Sequence, residues 1–259
     1  MKKINLKEFT FLIPIRIDTI VRLENLRLSV NFLLKHFETN IMILEASSYN
    51  NGLVPKLIAK GIDYIFIEDK DPIFYRTKYL NIMTSKAMTP FIGIWDADVI
   101  IPKEQIMDSV CKLRNGYDLV YPFSNLFYDT SDIIRVLYLK TLKIEVLTKN
   151  INKMHLTYGN DSVGGAFMVN KQSYIDAGME NERFYGWGPE DGDRYHRMRI
   201  LGYKIHFSEG NLFHLSHPRG INSMFRSPNQ RTKTRKEFIF TYNSSRDELI
   251  RVHNLASLK

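Results

Sequence analysis

Short apolar runs alternate with a helical pattern through the first part of the chain, and this alternation restricts the folds open to it. Residues 9–17, 41–44, 64–67 and 90–95 have the length and composition of buried strands, and apolar residues recur at helical spacing between 23 and 37. Such alternation favours a mostly parallel α/β sheet flanked by helices. Ligands of these sheets gather beyond the carboxyl ends of the strands.

Polar residues stand at the ends of the predicted strands, and five of them are candidates for a ligand site. They are Arg16, Asp18, Glu45, Asp96 and Asp98. The glycine-rich signatures that cradle phosphates are absent from the sequence, which contains neither a Walker loop nor a G-x-G-x-x-G. A phosphate ligand at this sheet edge therefore needs a metal ion or cationic side chains.

The composition fits a folded enzyme-sized domain. The chain has 259 residues, of which 44% are hydrophobic and 12% aromatic, enough for one large α/β domain or two fused lobes. A single cysteine, Cys111, excludes an internal disulfide and fits a reducing compartment. The charged amino terminus leads directly into a strand, and no signal peptide or membrane span is evident. We therefore expect a cytoplasmic protein, with loose attachment at the inner face of a membrane left open.

Positive charge is concentrated near the carboxyl end. The net charge is +8, and residues 210–259 contain nine Lys or Arg against three acids. Residues 219–236 contain six Lys or Arg and no acid. Such a run is suited to a diphosphate, an anionic lipid surface or a nucleic acid, and it is also typical of a solvated face.

The triplet Asp96-Ala97-Asp98 is a candidate metal site. It ends an apolar strand, and residues two apart in an extended segment point the same way, so both carboxylates can face one cleft. Mg²⁺ and Mn²⁺ commonly bridge nucleotide phosphates through a few carboxylate oxygens. The triplet alone is a weak signal, and its position after a predicted strand is the stronger one.

Residues 184–193, Phe-Tyr-Gly-Trp-Gly-Pro-Glu-Asp-Gly-Asp, combine an aromatic platform, glycines and three acids. Pro189 predicts the start of a helix of about three turns that ends near Gly202. Glu190 and Asp191 then lie in its first turn, where the helix dipole favours an ionised Asp191 that can accept a proton. Trp187 suits the apolar face of a sugar ring. The alternative is a core tryptophan followed by ordinary helix-start acids.

Four segments together resemble the β-1,4-galactosyltransferases and related bacterial family-2 sugar transferases. They are residues 13–16 (Ile-Pro-Ile-Arg), 74–81 (Phe-Tyr-Arg-Thr-Lys-Tyr-Leu-Asn), 164–169 (Gly-Gly-Ala-Phe-Met-Val) and 184–191. The resemblance covers most of the chain, and it implies a single GT-A catalytic domain over 1–259. The first half, 1–125, would bind the nucleotide sugar, and 126–259 would bind the acceptor. One departure is Pro189, where the relatives usually carry glycine.

The resemblance also implies roles for individual residues. Phe74 would stack on uracil, and Asp98 would ligate Mn²⁺ or Mg²⁺. The competing interpretation of Phe74 is a hydrophobic contact at a helix start. With the polar strand-end residues included, the expected donor-binding set is Pro14, Arg16, Glu45, Phe74, Arg76, Lys78, Asp96, Ala97 and Asp98.

The family places two further metal ligands three residues apart in a segment that matches 212–219 here. His217 matches the family's histidine and His214 replaces its methionine, so the metal preference and the choice between the two rings stay open. Residues three apart face opposite ways in a strand, so both rings can bind one ion only if the chain turns there.

On the acceptor side the resemblance implies that Asp191 is the catalytic base, with Glu190 beside it. The expected acceptor-binding residues are Gly165, Trp187, Gly188, Glu190 and Asp191. The basic run, about 218–236, falls where the relatives carry a mobile loop that closes over the donor. Closure would exclude water and bring positive charge near the leaving diphosphate.

The resulting hypothesis is a metal-dependent inverting glycosyltransferase. It would move a hexose, with galactose or N-acetylgalactosamine favoured, from a UDP-sugar to a glycan hydroxyl. Residues 132–150 are apolar on much of their circumference and are compatible with an interfacial helix that binds a lipid-linked acceptor. Packing of this segment against the domain or a second subunit is the favoured interpretation. Two other classes compete: a non-catalytic sugar-binding protein, and a basic nucleic-acid-binding protein. The latter is disfavoured, since acids at the site would repel phosphates.

Overall fold

The computed structural model describes residues 2–159, 161–220, 222 and 224–255. In chain order, the first elements are β1 (Ile4–Ile15), α1 (Ile20–His36), β2 (Phe37–Ser47), α2 (Leu53–Leu57), β3 (Asp63–Glu68), α3 (Arg76–Lys86), β4 (Phe91–Trp95), β5 (Val99–Ile100), α4 (Lys103–Arg114), β6 (Leu119–Tyr121) and β7 (Leu126–Asp129). The chain continues with α5 (Asp132–Thr141), α6 (Ile144–Thr148), a short 3₁₀ helix (Ile151–Lys153), β8 (His155–Thr157), β9 (Ala166–Asn170), α7 (Lys171–Asp176), α8 (Glu190–Leu201), β10 (Ile205–Phe207), β11 (Asn211–His214), α9 (Pro228–Asn243) and α10 (Arg246–Val252).

A seven-stranded sheet in the order β10-β6-β9-β4-β1-β2-β3 forms the centre of the fold. Four of its six strand pairs are parallel, and β9 runs antiparallel to both β4 and β6. The predicted mostly parallel sheet is confirmed. A smaller sheet, β5-β11-β7-β8, pairs the end of β11 with the strand that follows Asp98.

The second half of the central strand β1 is largely apolar because both of its faces are covered. Phe9, Phe11, Leu12 and Ile13 are all fully buried, without the alternation of a half-exposed strand. The strand ends at Ile15, two residues earlier than predicted, and β4 ends at Trp95. Arg16 and Asp96 therefore stand directly at the carboxyl ends of neighbouring strands.

Helix α8 has the predicted length and position. It spans twelve residues from Glu190, with Pro189 in the capping position just before it, and it ends at Gly202. Gly202 has a φ of 91°, a left-handed conformation that glycine adopts without steric cost. Glu190 and Asp191 occupy its first turn as predicted.

Residues 132–150 form two helices instead of one continuous interfacial helix. Helix α5 ends at Thr141, and the next residue, Leu142, has a φ of 53° that breaks the helical path before α6. Ile134 and Tyr138 pack into the core, whereas Ile133 remains 73% exposed. Within the residues that the structure describes, we find no helix long and apolar enough to cross a membrane.

The basic run 218–236 is only partly a loop. Residues 228–236 form the first half of α9, because the Ser227 side chain caps the helix by accepting from the Gln230 backbone N–H and Pro228 fits the first turn. The expected loop is thereby reduced to about 218–227, and its positions 221 and 223 lie outside the described residues.

Candidate functional site

A cavity of about 640 Å³ opens at the carboxyl ends of β1 and β4, beside the start of α8 and the end of β11. Most of the predicted site residues line it, which brings together segments from both halves of the chain. The predicted residues in its lining are Pro14, Arg16, Phe74, Arg76, Asp96, Ala97, Asp98, Gly165, Trp187, Gly188, Glu190, Asp191, His214 and His217.

Two predicted donor-binding residues are not in this lining. Glu45 is fully buried inside β2, which continues to Ser47, and its carboxylate accepts a hydrogen bond of 2.7 Å from the Tyr64 hydroxyl on β3. Lys78 places its ammonium 5.9 Å from the ring centroid of Tyr75, beside a separate, smaller pocket. The structure therefore gives neither residue a place in the cavity.

Asp98, His214 and His217 form a compact cluster whose ligand atoms all lie within 4.8 Å of one another. Nε2 of His214 is 3.4 Å from Asp98 Oδ1, and Nε2 of His217 is 3.1 Å from Asp98 Oδ2. Strand β11 ends at His214, so the chain leaves the extended path and both rings reach the same carboxylate. This is the turn that a shared metal site required.

The opposite nitrogen of each ring is also engaged. Nδ1 of His214 lies 2.9 Å from Asp129 Oδ1, and Nδ1 of His217 lies 2.9 Å from the Pro218 carbonyl oxygen. Such partners fix ring orientation and leave Nε2 directed at the ion position. Two imidazoles and one carboxylate suit a divalent ion of the Mn²⁺ type. The donor set therefore fits the predicted metal.

The electrostatics of the cluster favour a positive charge beside the Asp98 carboxylate. Burial disfavours a charged His214 ring, but Asp98 and Asp129 outweigh that effect and raise its pKa to about 9. Burial likewise opposes ionisation of Asp98, yet His214 and His217 hold the pKa of that carboxyl well below its usual range. A metal ion would replace the imidazole proton as the positive partner of this carboxylate.

Asp96 belongs to a different charge network, which reaches the predicted base. Arg76 donates to Asp96 Oδ1 at 2.9 Å and lies 3.5 Å from Asp191 Oδ1. Arg194 donates to the same Asp191 oxygen at 2.8 Å and to Glu180 at 2.9 Å. The two arginines therefore hold Asp191 Oδ1 between them.

These arginines control the ionisation of the two acids at the start of α8. Desolvation raises the pKa of Asp191, but Arg194 and Arg76 outweigh it, and the net pKa is below the usual value. Glu190 behaves oppositely: burial, then the charge of Asp191, raises its pKa to about 8. Asp191 is thus ionised at neutral pH as predicted, beside a largely protonated Glu190.

Gly164 leaves room for the second oxygen of Asp191. A β-carbon at position 164 would lie 2.6 Å from Asp191 Oδ2, closer than any ordinary contact. The carboxylate therefore lies directly against Gly164, with one oxygen between the two arginines and the other beside the glycine.

The two aromatic residues for which the resemblance implies a role, Trp187 and Phe74, both line the cavity. Trp187 is half-buried, lines the cavity and meets Phe225 edge-on at a centroid distance of 4.6 Å, so it is not a core residue. Phe74 also lines the cavity while packing 5.1 Å from Tyr79. That pair spans the N′ and N4 positions of α3, so the helix-start contact is real and leaves a face of Phe74 toward the cavity.

Sequence reasoning missed Asp129, Glu180 and Arg194. Arg194 lies three residues after Asp191 on the predicted helix, a spacing that places the two side chains on one face, so that pair was open to prediction. Asp129 lies 85 residues before His214, and Glu180 belongs to the loop before residue 184. No local pattern marks either of them.

The comparisons with known proteins agree with this geometry. Residues 145–218 match a family model described as the N-terminal domain of galactosyltransferase. The matched segment contains the 164–169 and 184–191 motifs and both histidines of the cluster. The resemblance inferred from those residues is confirmed. A search of curated proteins gives no match.

Solved structures extend the likeness to nearly the whole chain. The catalytic domain of Drosophila β1,4-galactosyltransferase 7 in complex with xylobiose superposes with a TM-score of 0.56 at 16% identity, over 92% of this chain and 82% of that one. A mutant of the same enzyme, in complex with manganese, UDP-Gal and xylobiose, gives 0.52 at 15% identity over 85% and 77% of the two chains. The GT-A fold predicted from the sequence is confirmed.

Proposed function

We propose that the protein is a metal-dependent glycosyltransferase that moves galactose or a related hexose from a UDP-sugar to a hydroxyl of a glycan acceptor. The observation that carries the proposal is the presence, in one cavity, of the Asp98–His214–His217 cluster, the Trp187 surface and an ionised Asp191. The Drosophila neighbour that binds manganese, UDP-Gal and xylobiose has the same fold.

On the donor side, Phe74 offers an aromatic face to the uracil ring, and Pro14 and Arg16 border the nucleotide. Arg16 is rigid, since it donates to the carbonyls of Ala46 and Asp71 and to the carboxylate of Asp69 at 2.8–3.0 Å. Asp98, His214 and His217 would hold Mn²⁺ or Mg²⁺, which when bound neutralises charge on the leaving diphosphate.

On the acceptor side, Trp187 and Gly188 position a sugar so that one hydroxyl meets Asp191. Asp191 takes the hydroxyl proton as the acceptor oxygen attacks the anomeric carbon and the bond from that carbon to the UDP oxygen breaks. One displacement from the face opposite UDP inverts the anomeric configuration. Asp191 suits this role because Arg194 and Arg76 keep it ionised, while Glu190 adds a neutral hydrogen-bonding group.

Calorimetric titration of UDP, with Mn²⁺ and with the metal chelated, tests the donor site. We expect binding that requires the metal and is lost in Asp98→Ala. Transfer from UDP-Gal, followed by NMR of the product anomer, then tests the chemistry, with Asp191→Asn as the inactive control. A product that retains the donor configuration would remove Asp191 from the role of base.

We further propose that residues near 218–227 close over the donor. Arg219 lies beside the metal cluster, since its guanidinium is 3.1 Å from Oδ2 of Asp129, the residue that also contacts His214. Proteolysis in this segment should slow when UDP-sugar and Mn²⁺ are bound. The competing sugar-binding function predicts glycan binding that is indifferent to the metal, and the nucleic-acid-binding function predicts salt-dependent DNA retention.

A further inference from the structure

Helix α9 lies directly against the segment that carries Trp187 and Asp191. A β-carbon on Gly188 would be 3.3 Å from Thr234, and one on Gly192 would be 2.9 Å from the Phe238 ring. The two glycines therefore let α9 approach this segment closely. Phe238 also lines the cavity, so the helix forms part of the wall around the acceptor position.

Polar contacts fix the rotation of α9. The side chain of Gln230 donates to the Tyr185 carbonyl at 2.8 Å, and Glu237 accepts from Asn181 at 2.9 Å. Thr241 is fully buried and bonds to Asp193 at the start of α8. Positions 230, 234, 237 and 241 thus form the packed stripe, and positions 231, 235 and 238 lie together along one side of it.

Among the described arginines that line the cavity, Arg235 is the one without a carboxylate partner. Five arginines line the cavity, and four of them have an acidic partner at 2.9–3.1 Å. Those pairs are Arg16 with Asp69, Arg22 with Asp18, Arg76 with Asp96, and Arg219 with Asp129. Among the residues that the structure describes, Arg235 has no such partner.

A second arginine on the same side of α9 is also without an acidic partner in the described part of the chain. The guanidinium of Arg231, one turn before Arg235, lies 6.0 Å from the centroid of the Phe225 ring, which itself packs on Trp187. The wall beside the aromatic sugar surface therefore carries two cations whose charge no described carboxylate balances.

We infer that the acceptor is an anionic glycan, and that Arg235 and Arg231 bind a carboxylate, sulfate or phosphate group next to the accepting sugar. The inference rests on the proposed function, because it assigns the Trp187 wall to the acceptor. Arginine is suited to planar, bidentate recognition of such groups. The donor diphosphate is the less fitting anion, because the metal that would hold it is assigned to Asp98, His214 and His217. Helix α9 instead packs against Gly188 and Gly192, in the segment proposed to hold the acceptor.

The test measures retention of the full-length protein, with UDP and Mn²⁺, on an array of neutral glycans and of matched glycans bearing uronate, sulfate or phosphate groups. We expect the wild type to prefer the acidic members by about tenfold or more. The double variant R231Q/R235Q should lose that preference. Lys233→Gln is the matched control, because position 233 is exposed on the opposite side of the packed stripe.

UDP titration of the same proteins distinguishes a failure of the proposed function from a failure of the anionic-acceptor inference. If wild-type protein does not bind UDP with Mn²⁺, the proposed function itself is wrong. If UDP binds normally but acidic glycans have no advantage, or no glycan is retained, only the present inference is overturned. A double variant that weakens UDP binding and leaves glycan preference intact would also overturn it, since the arginines would then serve the donor diphosphate. Preference for phosphate glycans alone would support the inference and identify the anion as a phosphate, and preference for uronates alone would support it and identify a sugar acid.

Discussion

Gly164→Ala is expected to displace the proposed base without altering the donor site. A β-carbon at position 164 would lie 2.6 Å from Asp191 Oδ2, whereas ordinary contacts to a β-carbon begin near 3.4 Å, so the carboxylate must move by about 0.8 Å. The move pulls the carboxylate away from its partners, because Arg194 and Arg76 lie 2.8 and 3.5 Å from its other oxygen. A misplacement of about 1 Å can cost about 10²-fold in rate, so we expect kcat to fall by roughly that factor.

Initial rates of transfer from UDP-Gal, measured for wild type, Gly164→Ala, Asp191→Asn and the double variant, test this reasoning. If the alanine acts only through Asp191, it should cost nothing further once the carboxylate is gone. UDP affinity with Mn²⁺ should be the same in all four proteins. A Gly164→Ala enzyme with nearly unchanged kcat, or a loss that adds to that of Asp191→Asn, would refute the argument.

Three other changes probe the charges around the site. Arg194→Gln removes a cation that lowers the pKa of Asp191. Because the base loses activity as the pH falls through its pKa, the acidic limb of the kcat profile should move to higher pH by about one to three units. Arg194→Lys, which keeps the positive charge, should recover part of this shift. Asp129→Asn should weaken Mn²⁺ binding in a direct titration by about 10- to 100-fold, because it loosens His214; unchanged affinity would contradict that role. Glu190→Gln resembles the protonated form of Glu190, whose pKa is about 8. Transfer at neutral pH should therefore persist in this variant, and the change in rate that the wild type shows near pH 8 should disappear. Inactivity of the variant at neutral pH would show that the charged form of Glu190 is needed.

The parts of the site that were predictable lie close to elements with a strong local signal. Buried strands show as apolar runs, so the positions of Arg16 and Asp96 at strand ends follow from the sequence within two residues. Helix α8 shows through Pro189 and Gly202, which place Asp191 in a first turn. In these cases local propensity and tertiary packing favour the same structure.

The predicted site residues that lie outside the cavity lining differ from the prediction in orientation, which local patterns do not determine. Glu45 looked like a strand-end residue, but β2 runs two residues further and turns the carboxylate toward Tyr64. Lys78 lies two positions after Arg76, about 200° around α3, so only one of the two can face the cavity. The resemblance predicts a loop for the basic run, because the relatives carry a mobile loop there, although Ser227 and Pro228 form a recognisable helix start.

Charged residues from the two proposed halves of the chain contact one another across the site. The metal cluster takes Asp98 from the first half and both histidines from the second, while Arg76 of the first half touches Asp191 of the second at 3.5 Å. Burial raises the pKa of Asp96 although Arg76 opposes that effect. Loss of Arg76 would therefore leave two neighbouring carboxylates competing for the remaining positive charge, and each would hold a proton more tightly. Because one of those carboxylates is the proposed base and the other follows strand β4, a change at Arg76 is expected to affect both proposed substrate positions.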